Sequence, residues 1–159
     1  MAIYDGVCMG GALELALACH IRVAGKGTIF SVPEALAGAA PGWGNTQRLV
    51  HYFGRGKAIE LALTGSQITA AEAHALGAVN HVVSGAEVHS KAEEITSGIA
   101  QMRTKSIKAI MGAMHVPYRI GLAEGKATEH ENYMDIYDPK TFLAAVSALF
   151  EQRTIEFTD

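Results

Sequence analysis

One stretch decides the fold of this chain: Gly10-Gly11-Ala12-Leu13-Glu14-Leu15-Ala16-Leu17-Ala18-Cys19. The glycine pair follows a strand-like segment, residues 7–9, and predicts the start of a helix that runs to about Cys19. Apolar residues cover every face of this helix, so we expect it to be buried. Glu14 is its single charged residue. A buried carboxylate is unfavourable unless it is paired, hydrogen-bonded or protonated, so Glu14 is a candidate functional residue.

A second isolated carboxylate, Glu34, follows twenty positions later in the run Val32-Pro33-Glu34-Ala35-Leu36. Two carboxylates in apolar surroundings are typical of general acid–base catalysis. One is ionised and acts as the base, and the other is protonated and acts as the acid. The alternative for each glutamate is a solvated side chain or a structural salt-bridge partner.

The glycine pair itself is a candidate binding element. The first N–H groups of a helix have no partner within it, and they lie at the positive end of the helix dipole. Gly10 and Gly11 would let a ligand oxygen approach the backbone closely. The pattern therefore predicts an oxyanion hole or anion site, with Glu14 one turn later on the same helix face. The alternative is a glycine pair that serves packing alone.

Composition excludes several classes of function. The chain has 159 residues, the size of one domain, with 49% hydrophobic and 18% charged residues, which argues against disorder. Its net charge of −3 favours no nucleic-acid or anionic-membrane partner. No apolar run is long enough to span a bilayer, and the first residues lack a basic leader, so we expect a cytoplasmic protein. Its two cysteines, Cys8 and Cys19, are then expected to be reduced, buried thiols.

The order of elements predicts a strand-bearing first half and a helical second half. Strands are expected near 3–4, 7–9, 21–24, 28–31 and 78–83, and helices near 45–53, 57–63, 70–76, 85–101, 104–115, 119–136 and 139–153. Asn45 or Thr46 is expected to cap the first of the later helices. Thr69 and Glu72 form a capping-box pattern, and Asp138 precedes a proline at the start of the last helix.

Other common site patterns are missing from the sequence. None of the seven histidines belongs to a metal-ligand motif, so we expect no metal. No G-x-G-x-x-G follows a strand, and no G-x-S-x-G occurs, so neither a dinucleotide fold nor a serine nucleophile is indicated.

Taken together, these motifs resemble the crotonase, or enoyl-CoA hydratase/isomerase, family. The matching segments cover nearly the whole chain: 5–19, 33–34, 41–49, 58–65, 70–73, 77–83 and the closing helix 142–157. The resemblance implies an acyl-CoA thioester as substrate and no separate cofactor, since coenzyme A is part of that substrate. It is specific for the family and less specific for the reaction.

The resemblance also implies roles for individual residues. Gly11, beside Gly10, would supply one backbone N–H of an oxyanion hole. Glu14 would be the base that acts on water, and Glu34 the acid that delivers a proton to the alpha carbon. Keeping both carboxylates favours hydration of a 2-enoyl-CoA.

Two further positions match the family's substrate site. Gly42 corresponds to a backbone position beside the reacting water, and Trp43 would shape the acyl pocket.

The implied fold is α/β, with a crotonase-like (ClpP/crotonase) spiral core, truncated at the N-terminus and followed by a C-terminal helical trimerisation region. We expect residues 1–84 to form the partial core with the catalytic carboxylates, and 85–159 the helical region of a homotrimer or hexamer. The expected missing section carries the other oxyanion N–H and much of the coenzyme A surface. Two alternatives follow: a catalytically incomplete fragment or assembly partner, and an isomerase or thioester hydrolase.

Overall fold

The structure, a computed structural model, describes residues 1–102, 104–111, 130, 134 and 137–153. Its strands are β1 Ala2–Tyr4, β2 Val7–Met9, β3 Arg22–Gly25, β4 Ile29–Ser31, β5 Gln67–Thr69 and β6 His81–Val83. The α-helices are α1 Gly11–Leu17, α2 Asn45–Phe53, α3 Arg55–Thr64, α4 Ala70–Ala75, α5 Val88–Ala100, α6 at residues 104–111 and α7 Pro139–Phe150. Short 3-10 helices lie at Glu34–Ala37 and Gly85–Glu87.

The strands form two three-stranded sheets. The first has the order β1-β3-β6 and is parallel throughout, with Ile3 opposite Val23. The second has the order β2-β4-β5, in which β2 and β4 are parallel and β5 is antiparallel to β4. The first four strands alternate between the two sheets, because parallel neighbours need a crossover connection. The chain therefore follows a spiral course, and within the described residues β1 and β2 are edge strands.

An apolar core joins the second sheet to α1, α2 and α3. Its largest fully buried side chains include Leu13, Phe30, Leu49 and Leu61. Tyr4 meets Phe30 edge to face, with ring centroids 5.2 Å apart, a favoured geometry for aromatic pairs. A smaller cluster on the first sheet packs Val88 and Ala92 of α5 against Val23.

The expected burial of α1 on every face is wrong. Its inner face is buried through Leu13, Glu14, Ala16 and Leu17, whereas Leu15 is 71% exposed. The outer face borders an open groove of about 430 Å³ whose walls come from three elements. The groove is lined by residues 1–8, Ala12, Leu15, Ala16 and Cys19. Apolar composition alone could not tell an inner face from an outer one.

Arg22 is a buried cation, only 3% exposed, and its side chain contacts several elements. Its guanidinium donates hydrogen bonds to the carbonyls of Cys19 and Ala78. It also lies over the ring of Tyr52 in α2, 4.1 Å from the centroid. Carbonyl dipoles and an aromatic face therefore replace the water that burial removes.

Two of the expected helix starts are confirmed. The side chains of Thr69 and Glu72 form the predicted capping box at α4. The carboxylate of Asp138 accepts a hydrogen bond from the backbone N–H of Thr141, as expected for the start of α7. Both motifs act over three residues, so the local sequence is enough to specify them.

Other expectations fail or cannot be compared. Gly44 precedes α2 at φ 93°, and no side chain caps the helix, because Asn45 turns inward and is fully buried.

Strand β5 was not expected from the sequence. Cys8 is buried, but Cys19 is partly exposed, so the expectation of two buried thiols is half wrong. The helix expected at 104–115 is present where residues are described, and the one at 119–136 falls outside them apart from 130 and 134.

Candidate active site

Glu14 lies on the buried face of α1 and is 4% exposed. Its Oε1 accepts a hydrogen bond of 3.0 Å from the backbone N–H of Trp43, in the segment just before α2. This bond offsets part of the cost of burying a carboxylate and fixes where the side chain lies. The buried setting predicted for Glu14 is therefore present, and its link to Trp43 is a contact that the sequence did not indicate.

Glu34 begins the 3-10 helix Glu34–Ala37 and is partly buried. Its Oε2 is inaccessible to solvent and has no hydrogen-bond partner within the described part of the chain. Burial raises the pKa of Glu34, and the nearby charge of Glu14 raises it further, while a backbone hydrogen bond opposes the shift. Glu34 therefore holds its proton to a higher pH than a solvated glutamate does, and the protonated form is the one that a general acid needs.

Gly10 brings the backbone of the α1 start against Glu34. It has φ 56° and ψ −132°, a conformation that side-chain-bearing residues rarely adopt. A Cβ added to Gly10 would lie 3.5 Å from Oε1 of Glu34. The N–H of Gly10 already donates to the carbonyl of Ser31 at 3.2 Å. Gly10 therefore shapes the site, and its N–H is engaged in holding α1 to β4.

Gly11 is the first residue of α1, where a backbone N–H has no partner within the helix. A Cβ added to Gly11 would lie 2.9 Å from Cζ3 of Trp43, closer than real Cβ contacts allow. The absence of a side chain here is thus required by packing as well. The two interpretations of the glycine pair, ligand binding and packing, are compatible at Gly11.

Trp43 connects the remaining parts of the site. Its side chain is 71% exposed, although its six-membered ring packs on Gly11. Its carbonyl accepts a hydrogen bond of 2.6 Å from Arg48 in α2. The Arg48 guanidinium also lies over Gly44, where a Cβ would meet Nη1 at 2.6 Å. Sequence reasoning missed Arg48, since nothing in its spacing from Trp43 indicates a contact.

Gly42 and Asn45 flank this segment. Gly42 is partly buried next to Trp43, and its place beside a reacting water stays a prediction. Asn45 is fully buried, and neither polar atom of its amide has a hydrogen-bond partner among the described residues. A buried amide without a partner is unfavourable. Asn45 therefore places an unsatisfied polar side chain inside the core near the start of α2.

The structure brings together Gly10, Gly11, Glu14, Glu34 and Trp43 at one end of α1. Within the described ranges, no group of three histidine, cysteine, aspartate or glutamate side chains could hold a metal ion. No helix there is long and apolar enough to cross a membrane. None of these five residues lines the groove on the outer face of α1. The arrangement offers two carboxylates, Glu14 and Glu34, the second with a raised pKa, beside a backbone donor, which suits proton transfer.

Comparisons with known proteins find relatives of similar sequence. The chain is 33% identical over 156 residues to the short-chain-enoyl-CoA hydratase of Clostridium acetobutylicum, covering 98% of this chain and 60% of that protein. It is 34% identical over 161 residues to the human mitochondrial enoyl-CoA hydratase domain-containing protein 2, covering 99% of this chain and 55% of that one.

A solved structure shows the same fold. The enoyl-CoA hydratase of Mycobacterium avium subsp. paratuberculosis superposes with a TM-score of 0.89 at 23% identity, over 97% of this chain and 63% of that one. The chain thus spans less than two thirds of the length of these proteins. The sequence profile of the enoyl-CoA hydratase/isomerase family matches residues 1–159. With a crotonase-like α/β fold and this match along its length, the chain belongs to the enoyl-CoA hydratase/isomerase family.

Proposed function

We propose that this chain carries the proton-transfer machinery for adding water across the double bond of a 2-enoyl-CoA. The observation that carries the proposal is the pairing of Glu34, whose pKa is raised by burial and by the charge of Glu14, with Glu14 itself. A base and an acid held at one site can serve the two proton transfers of hydration. The names of the relatives support the same reaction class.

Hydration requires one proton to be removed from water and one to be delivered to C2. Glu14 accepts a proton from water while the water oxygen bonds to C3 of the enoyl group. The electron pair of the C2–C3 double bond moves toward the thioester, and its carbonyl oxygen becomes an enolate. The N–H of Gly11 donates to that oxygen, and Glu34 then gives its proton to C2. Proton exchange with solvent returns Glu14 and Glu34 to their starting forms, and the product is a 3-hydroxyacyl-CoA.

The test is hydration of crotonyl-CoA, followed as loss of the absorbance of the conjugated thioester. We expect Glu14→Gln and Glu34→Gln each to lower the rate by about 10²- to 10⁴-fold, the usual contribution of a general acid or base. Glu93→Gln is the matched control, because Glu93 is exposed on α5. Near wild-type rates in either active-site variant would refute the two-carboxylate mechanism. Detection of an isomer or of free coenzyme A in place of the 3-hydroxy product would identify an isomerase or hydrolase.

A second candidate function, a catalytically incomplete partner, is favoured by one observation. Among the described residues, β1 and β2 are edge strands, and the groove beside them exposes Leu15 and Val7. Edge strands and apolar grooves are surfaces on which further polypeptide can pair and pack. In this version, the second oxyanion donor comes from a separate polypeptide.

Complementation separates these candidates. Hydration would be measured for the chain alone and after mixing with a polypeptide holding the N-terminal two fifths of the clostridial relative. Turnover only in the mixture supports the incomplete partner, whereas equal turnover in both supports independent catalysis. A mixture made with the Glu14→Gln variant is the control, since any turnover that remains in it comes from the added polypeptide alone.

We propose further that residues 85–159 serve assembly into a homotrimer or hexamer, and that the protein acts in cytoplasmic fatty acid metabolism. The resemblance to the family supports both points. Sedimentation equilibrium tests the first, and a monomer across micromolar concentrations would contradict it.

A further inference from the structure

The backbone of Trp43 is held by hydrogen bonds on both sides, although most of the residue is exposed. The backbone N–H on one side donates to Glu14 at 3.0 Å, and the carbonyl on the other side accepts from Arg48 at 2.6 Å. The six-membered ring rests on Gly11, where no Cβ intervenes. Two hydrogen bonds therefore fix the backbone of Trp43, and packing on Gly11 positions its ring in a residue that remains 71% exposed.

The position of this ring has a consequence for any ligand at Gly11. A carbonyl oxygen that accepts the N–H of Gly11 must lie next to the residue on which the indole packs. The group attached to that carbonyl then lies within reach of the indole. An exposed large aromatic side chain that is pre-ordered costs little further entropy when a ligand covers it.

We infer that Trp43 is a specificity-determining residue that selects flat acyl groups conjugated with the thioester. Planar conjugated groups, above all aryl-substituted 2-enoyl groups, can stack on an indole face. Saturated acyl groups of the same carbon skeleton are bent at tetrahedral carbons and make only ordinary apolar contact. The inference rests on the proposed function, because it requires the thioester carbonyl to bind at Gly11.

The experiment compares two ligands that differ by one double bond, 3-phenylprop-2-enoyl-CoA and 3-phenylpropanoyl-CoA. Their dissociation constants are measured by calorimetry in the Glu14→Gln background, which stops hydration but keeps an oxygen that can accept the Trp43 N–H. Trp43→Leu keeps apolar volume without an aromatic face, and Trp43→Phe keeps a smaller face. Leu63→Ala is the matched control, since Leu63 is equally exposed, at 71%, and lies on α3.

We expect the unsaturated ligand to bind about fivefold more tightly with Trp43 present, the equivalent of a stacking contribution of about 1 kcal/mol. The ratio of the two dissociation constants should fall to about one in Trp43→Leu, stay intermediate in Trp43→Phe and be unchanged in Leu63→Ala. Trp43 is the only tryptophan in the sequence. Its fluorescence should therefore shift to shorter wavelength when either ligand covers it.

Each remaining outcome overturns the inference. A ratio that survives in Trp43→Leu, equal affinities in the presence of Trp43, or no binding of either ligand would each do so. The hydration assay on the wild-type chain reports separately on the proposed function. If the wild-type chain hydrates crotonyl-CoA but binds the two phenyl-substituted ligands with equal affinity, only this inference is refuted. The affinity ratio without hydration, either by the chain alone or by its mixture with the N-terminal polypeptide, defeats the proposed function and leaves Trp43 as a selector of bound ligand.

Discussion

Gly10 provides a direct test of the geometry at the start of α1. Its backbone, at φ 56° and ψ −132°, lies in a region that is nearly restricted to glycine. Replacing Gly10 by alanine forces either strain of about 1–3 kcal/mol or a change of backbone path. The new Cβ would also contact Oε1 of Glu34 at 3.5 Å, an ordinary van der Waals distance that adds little steric cost. We therefore expect a loss of about 2 kcal/mol in the free energy of unfolding.

This loss converts to a measurable change in melting temperature. For a chain of this size, 1 kcal/mol shifts Tm by about 2–4 °C, so Gly10→Ala should melt about 4–8 °C below wild type. Circular dichroism at the helical minimum follows the transition, and urea unfolding gives the free energy directly. The expected loss in the free energy of unfolding comes from the backbone conformation, so it should appear without ligand and should not depend on pH near 7.

Two matched substitutions isolate the cause. Gly6 also has a positive φ, 105°, but a Cβ there would meet no atom of the described residues within 4 Å, so Gly6→Ala measures the backbone cost by itself. Gly56 lies within α3 with open space around it. Gly56→Ala should raise stability by about 0.5–1 kcal/mol, because alanine favours helix. A wild-type Tm for Gly10→Ala, or equal losses for Gly10→Ala and Gly56→Ala, would refute the reasoning.

Two further predictions concern ionisable side chains. The pKa of Glu34 is raised by burial and by Glu14, so the folded state binds the extra proton, and stability should fall as pH rises from about 4.5 through that raised pKa. Urea unfolding from about pH 4 to 8 should show this fall in wild type, and an identical slope in Glu34→Gln would contradict it. Burial raises the pKa of Cys8 to about 11, whereas Cys19 is partly exposed. Mass spectrometry after brief thiol alkylation should therefore find Cys19 labelled well before Cys8, and equal labelling would contradict the assigned burial.

Local motifs were predictable from the sequence, since short-range chemistry specifies them. The capping box at Thr69 and the start of α7 at Asp138 each depend on side chains three residues apart. The isolation of Glu14 and Glu34 among apolar residues was also sufficient to nominate both carboxylates. The raised pKa of Glu34 then followed from the surroundings that the sequence suggested.

Features set by distant residues were not predictable in the same way. Strand β5 is three residues long and exists through its pairing with β4, far away in sequence. Asn45 has a residue type that favours helix caps, yet Gly44 takes that position at positive φ and Asn45 turns into the core. The contact of Trp43 with Gly11 joins segments more than thirty positions apart. Hydrophobic periodicity and secondary-structure propensity carry no information about contacts between residues that are far apart in the sequence.

The buried guanidinium of Arg22 has a consequence for how the site opens. It holds the carbonyl after α1 at Cys19 and the ring of Tyr52 in α2 at the same time. Glu14 lies on the first of these helices, and Trp43 is joined to the second through Gly44. Separating the two helices would leave a cation in the core without its partners, a cost of several kcal/mol. Local opening that separates Glu14 from Trp43 should therefore be coupled to unfolding of the surrounding core, so these segments behave as one cooperative unit.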